Sequence, residues 1–279
     1  MGGPSADLNA LKGILQKAKR IVVLTGAGVS AESGVPTFRG SGGFWRTYKS
    51  QDLATAGAFE RSPSLVWEFY HYRRELVLTK QPNKAHHAIA EAERRLSEVS
   101  GGVRQLTVVT QNIDGLHQRG GSNRVVELHG SLYKTWCTKC RDIAENTDSP
   151  ICPALEGRGA PDPDSPSEPI PSKDLPRCRK DDCRGLLRPY VVWFGENLHP
   201  ETLQRADDAL SECDACLVVG TSSVVYPAAM YAPALAARNI PVAEFNLEPT
   251  SATYDFMFHF PGPCTQTVPE ALASITDSQ

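Results

Sequence analysis

The chain reads as an α/β protein, a doubly wound parallel sheet carrying a smaller domain that is discontinuous in sequence. Three observations predict this. Continuous β-branched runs alternate with helical stretches, and each run ends in small or polar residues. Two other segments interrupt that rhythm, one helical and one holding paired cysteines among prolines.

The elements follow in order. Residues 6–19 carry Leu8, Leu11, Ile14 and Leu15 at helical spacing. Ile21 to Thr25 is the first buried-type strand, and Leu106–Thr110, Ala215–Val219 and Pro241–Phe245 repeat its character, the last after a helical stretch over 228–238. Residues 62–99 read as helical, with Ser62 as N-cap and Pro63 at the first helical position. Residues 131–187 are proline-dense and poor material for regular structure. The expected division is therefore a Rossmann-like unit from about 1–45, 105–130 and 188–279. The smaller domain comes from a helical insertion, 46–104, and a cysteine-bearing one, 131–187.

Composition sets limits on the partners. A net charge of −3 argues against a nucleic-acid surface, and no apolar run reaches the roughly 18 residues that span a bilayer. The start, Met1 to Ala6, matches neither a signal peptide nor an Arg-rich transit segment, and it fails the myristoylation pattern. A monomer is the expectation, with nothing in the sequence specifying an assembly. A chain of 279 residues with an ample core needs no disulfide scaffold, so its eight cysteines point to metal. Cys137 and Cys140 form one close pair and Cys178 and Cys183 another, as in a structural Zn²⁺ site with no position left for water. Cys213 and Cys216 share the spacing but lead into an apolar strand, where buried thiols are the better reading.

The strand ends carry the candidate ligand chemistry. Gly26-Ala27-Gly28-Val29-Ser30-Ala31 follows the first strand, and its glycines allow backbone amides to approach a pyrophosphate. A structural turn is the alternative. The continuation, Glu32 to Trp45 through Phe38 and Arg39, offers no second strand and no ribose-binding acid, so it departs from a dehydrogenase and reads as a lid loop. Gln111-Asn112-Ile113-Asp114 ends the second strand with groups suited to a ribose and an amide, or to helix capping. Gly220-Thr221-Ser222 and Asn246-Leu247-Glu248 end the next two, the latter suited to an adenosine ribose. His129, in Glu127-Leu128-His129-Gly130, projects toward the same edge as a candidate general base, a structural histidine being the bland alternative.

These ordered motifs, with Gly34-Val35-Pro36-Thr37-Phe38-Arg39 among them, resemble the sirtuin family over nearly the whole chain. The resemblance implies that NAD is a consumed cosubstrate. An acyl-lysine amide oxygen would displace nicotinamide, and His129 would activate a ribose hydroxyl that takes the acyl group. It implies further that Asn112 holds the ribose, Asp114 the carboxamide, and Arg39 belongs to the cosubstrate loop. Phe38, Trp45 and Cys264 are implied as cosubstrate contacts too. Val192-Trp193-Phe194-Gly195-Glu196 and Val225-Tyr226 would sandwich the acylated peptide as an added strand. Tyr70 and Arg73, three apart on a helix, with Ala54 leaving room, resemble the class III branch that removes succinyl, malonyl and glutaryl groups. That branch implies a mitochondrial matrix location, with cytosol and nucleus as further possibilities. The rival readings are a plain deacetylase, a mono-ADP-ribosyltransferase of the same fold, and a non-catalytic NAD-binding adaptor. A pure binder has no need of His129 as a base.

Overall fold

The computed structural model describes residues 3–37, 43–164 and 168–276. Its strands, in chain order, are β1 (Arg20–Thr25), β2 (Phe44–Trp45), β3 (Tyr48–Lys49), β4 (Gln105–Thr110), β5 (Val125–Glu127) and β6 (Gly130–Cys137). They continue with β7 (Ile143–Glu145), β8 (Leu187–Val191), β9 (Ala215–Val219), β10 (Val242–Asn246) and β11 (Phe258–Pro261). Six of them form one sheet in the order β11-β10-β9-β1-β4-β5, parallel throughout. The chain winds from β1 outward through β4 to β5, then returns to build β9, β10 and β11 on the far side. Winding reverses between β1 and β9, which opens a crevice at the carboxyl ends of those strands.

Both faces of the sheet are covered, which is why the strands read as continuous apolar runs rather than alternating ones. Ile21 and Val23 pack on one side with Leu11, Leu15, Ile89, Leu96, Val268 and Leu272 from the helices Leu8–Lys17, Lys84–Val99 and Cys264–Thr276. Val22 and Leu24 pack on the other with Leu210 and Leu235, from the helices Pro200–Ser211 and Tyr231–Ala237. Burying one such side chain stabilises by about 1.5–3 kcal/mol.

Most of the two interruptions builds the second body, but the helix Lys84–Val99, expected there, covers the large sheet instead. The antiparallel sheet β7-β6-β8 packs on the helix Pro63–Leu78 through Val66, Trp67, Phe69 and Tyr70 against Leu132, Leu187, Val191 and Trp193. Several sequence expectations shift here. The segment expected to lack regular structure contains most of this sheet, and residues 188–191, placed with the Rossmann-like unit, form most of β8 beside β6. Residues 62–99 hold two helices, Pro63–Leu78 and Lys84–Val99, parted at 79–83 around Pro82. Ser62 makes no side-chain cap bond. The true capping box is at Asn83, whose carboxamide oxygen accepts from Ala85 and His86 while its own N–H meets His86 Nδ1 at 3.2 Å. No helix among the described residues is long and apolar enough to cross a membrane.

Candidate active site

The crevice at the carboxyl ends of β1, β4 and β9 opens into a cavity of about 890 Å³ that extends against the small domain. Its wall includes Gly26, Ala27, Gly28 and Ser30 after β1, Gln111 to Asp114 after β4, Gly220 to Ser222 after β9, and Asn246 at the end of β10. The glycines have a concrete cause. The Gly28 N–H donates to the Gly220 carbonyl at 2.7 Å, and a Cβ on Gly28 would lie 2.6 Å from that oxygen. Backbone therefore packs directly on backbone at the reversal point, leaving the loop amides close to the crevice.

Hydrogen bonds tie the strand ends together. Gln111 donates from Nε2 to Thr221 Oγ1 at 3.0 Å, and Asn246 donates to the Thr221 carbonyl at 2.8 Å. Asn112 donates from Nδ2 to the Gly26 carbonyl at 3.0 Å and to Ser30 Oγ at 3.2 Å. Its carboxamide is thus fixed with Oδ1 as the remaining acceptor. Beneath it, Thr110 Oγ1 accepts from the Asn112 N–H and bonds Thr25, which meets His117 Nε2 at 2.9 Å. Ser30 approaches His86 Nε2 at 3.4 Å. Burial holds both histidines below the ordinary imidazole range, His86 at about 4, so they are neutral supports. Nothing in the spacing of His86 and His117 marks them out; only tertiary packing brings them under Asn112.

Asp114 both bonds the start of a helix and borders the cavity. It accepts the Leu116 N–H at 2.9 Å, at the start of the helix Leu116–Arg119, and it lines the cavity. Burial raises its carboxyl above the usual range, opposed by that hydrogen bond and by the Arg73 charge.

His129 lies where the chain leaves β5 and enters β6, between the two bodies. Gly130 beside it has φ 82°, and a Cβ there would lie 2.1 Å from the Tyr190 carbonyl, so only glycine lets β6 turn onto β8. His129 Nδ1 is 3.0 Å from the Gln111 carbonyl oxygen. A carbonyl only accepts, so Nδ1 carries the proton and Nε2 keeps its lone pair. Burial lowers the imidazole pKa, opposed by this hydrogen bond, so the ring is neutral at pH 7.

The cavity continues past Ala54, Tyr70, Arg73, Val192, Trp193, Phe194, Gly195, Glu196, Val225 and Tyr226. The Val192 N–H donates to the His129 carbonyl and the Phe194 N–H to the Ala54 carbonyl, both at 2.9 Å. This strap places 192–194 along the cavity mouth. Tyr70 is fully buried, and burial pushes its phenol up to about 12. Burial lowers the Arg73 guanidinium, with Tyr70 and Asp114 opposing.

Not every expected residue borders this cavity. Ala31, Leu247, Glu248 and Cys264 lie off its wall, and Trp45 is buried with its indole N–H on the Gly159 carbonyl. Phe38 and Arg39 lie outside the described residues. Conversely Leu132, Leu198 and Leu203 line the cavity with no signal beyond being apolar.

The sulfurs of Cys137, Cys140, Cys178 and Cys183 all lie within 4.8 Å of one another, with Cys137 to Cys183 at 3.5 Å and Cys140 to Cys178 at 3.8 Å. Tetrahedral Zn²⁺ with Zn–S bonds of about 2.3 Å places its ligand sulfurs about 3.8 Å apart, so the cluster fits. Cys213 and Cys216 are buried in the large domain. Because such a site adds folding free energy directly, Cys140→Ser should release the metal and unfold β6–β8 at lower temperature. Metal analysis and melting curves check this; a metal-free wild type with unchanged melting in chelator would refute it.

Comparison with known proteins agrees with this geometry. Residues 26–227 match the Sir2 family. The chain is 61% identical over 273 residues to the NAD-dependent protein deacylase sirtuin-5, mitochondrial, of Canis lupus familiaris, covering 98% of this chain and 87% of that protein. It is 61% identical to an NAD-dependent protein deacylase of Daphnia pulex, covering 97% of each. Among solved structures, a Sir2 homologue–NAD complex superposes with a TM-score of 0.80 at 39% identity, covering 99% of this chain and 96% of that one. A complex of Sir2 with a p53 peptide and NAD⁺ gives 0.75 at 29% identity, covering 98% and 100%. With two thirds of its length matched and a cavity built on the motifs inside that match, the chain belongs to the Sir2 family.

Proposed function

We propose that this Sir2-family, NAD-dependent deacylase removes acidic acyl groups, succinyl, malonyl or glutaryl, from protein lysines. The observation that carries the specificity is Tyr70 and Arg73 on one helical face, both buried and both lining the cavity beside the small Ala54. A carboxylate entering an apolar pocket loses its hydration and needs a fixed cationic donor. Arg73 supplies two parallel N–H groups in a fork, and the Tyr70 hydroxyl supplies a third donor.

The remaining side chains divide the chemistry. Asn112 offers Oδ1 to a ribose hydroxyl, and Asp114 faces the carboxamide of nicotinamide. Gly26 to Ser30 and Thr221 receive the phosphates, with Asn246 at the adenosine end. The acyl oxygen attacks the ribose carbon that nicotinamide leaves. His129 Nε2 then takes the proton of a ribose hydroxyl, whose oxygen attacks the imidate carbon. Protonated by the proton that His129 took, the lysine amine leaves that carbon, and a water molecule adds there. The bond to the first ribose oxygen then breaks, leaving a ribose hydroxyl and the acyl group as an ester on ADP-ribose. Residues 192–196 and 225–226 receive the peptide as an added strand. The naming of vertebrate relatives as mitochondrial supports a mitochondrial site of action.

Product analysis tests the reaction class. With succinyl-lysine peptide and NAD, mass spectrometry should find nicotinamide, unmodified peptide and O-succinyl-ADP-ribose in equal amounts. ADP-ribosylated peptide would identify a transferase, and unconsumed NAD a binder.

A further inference from the structure

Trp193 was expected in the peptide-binding strand, yet it is only 2% exposed while its neighbour Phe194 is 49% exposed. Its indole N–H donates to the Tyr70 hydroxyl oxygen at 2.9 Å. The ring is held on several sides. The Arg188 guanidinium lies 3.5 Å from the indole centroid, and the Phe59 ring packs at 5.4 Å. Arg188 is itself fixed by a two-pronged pair with Glu196, at 2.6 and 2.9 Å, and by a bond to the Val191 carbonyl. Glu196 closes the loop by accepting the Trp193 backbone N–H at 2.9 Å.

From this clamp we infer that Trp193 is a positioning residue for acyl selectivity, acting through Tyr70. A phenol oxygen has two in-plane directions, one for its proton and one for a lone pair. Trp193 occupies the lone-pair direction, so the Tyr70 proton takes the other and is offered to an acceptor rather than rotating. An acyl carboxylate is such an acceptor, and an acetyl methyl is not. Arg188 and Glu196 keep the indole in place, so an ion pair at the cavity mouth stiffens a donor further inside.

This inference rests on the acidic-acyl reading, and the experiment separates the two. It measures kcat/KM for succinyl- and acetyl-lysine forms of one peptide on wild type, Trp193→Phe, Tyr70→Phe and the double variant. Loss of one neutral hydrogen bond should lower the succinyl-to-acetyl ratio roughly three- to tenfold in each single variant. The double variant should fall no further than the lower single one, because both changes remove the same oriented donor. A purely structural tryptophan would depress both substrates alike and multiply with Tyr70→Phe. Either result overturns the positioning role while leaving a high wild-type ratio, and the acidic-acyl reading, intact. A wild-type ratio at or below one overturns both. Should Trp193→Phe fail to fold, Arg188→Lys carries the test, since it loses the two-pronged pair but keeps the charge. Its ratio should also fall, and an unchanged ratio overturns the inference.

Discussion

His129→Tyr should abolish deacylated product while leaving fold and metal content as they are. A general base contributes about 10²–10⁴-fold, and the larger phenol also intrudes where the ribose must lie. The variant removes the one unprotonated imidazole nitrogen that the Gln111 contact leaves toward the cavity. The pH dependence gives an independent check. Burial lowers the His129 pKa, so the base form is already populated below the ordinary histidine value of 6.5. The acid limb of kcat/KM on the wild type should therefore have its midpoint below 6.5, with activity falling as pH drops through it. Single-turnover assays and a pH profile read both effects. Wild-type turnover in His129→Tyr, or an acid limb centred above pH 7, would remove His129 from the role of base.

Arg73→Met should reverse the acyl preference. Its guanidinium is buried against Tyr70 and near Asp114, inside a pocket where a substrate carboxylate would have little access to water. A charge-assisted hydrogen bond is worth about 1.5–3 kcal/mol, so losing it should cut kcat/KM on succinyl-lysine peptide by roughly 10- to 150-fold. Acetyl-lysine makes none of these bonds, and methionine is a flexible apolar filler of similar length, so deacetylation should be spared or modestly improved. The two peptides on two proteins decide it. Equal losses on both acyl groups would make Arg73 a support of the small domain rather than a reader of the substrate.

The parts of this molecule legible in the sequence are those fixed by local pattern. β1, β4, β9 and β10 are buried on both faces, so their apolar runs stood out to within a residue. The cysteine pairs were legible because thiolate spacing reports metal geometry directly. Long-range pairing was not legible. β6 is neither a continuous apolar run nor a regular alternation, and only its pairing with β7 and β8 makes it a strand. β11 is four residues long and is defined by its register with β10. The same holds within the site. Gln111 to Asp114 could be read at a strand end, but the support from Thr25, His86 and His117 depends on helices meeting far along the chain. Trp193 bonds Tyr70 across more than a hundred residues, so the strand motif gave no sign that its side chain turns inward onto Tyr70.

The most direct test of the central claim is kcat/KM of the unmodified enzyme with NAD on one peptide carrying, in turn, succinyl-lysine and acetyl-lysine. Tyr70 and Arg73 in the acyl cavity call for succinyl to exceed acetyl by at least roughly tenfold, the worth of one charge-assisted bond. Equal values, or faster deacetylation, would contradict it.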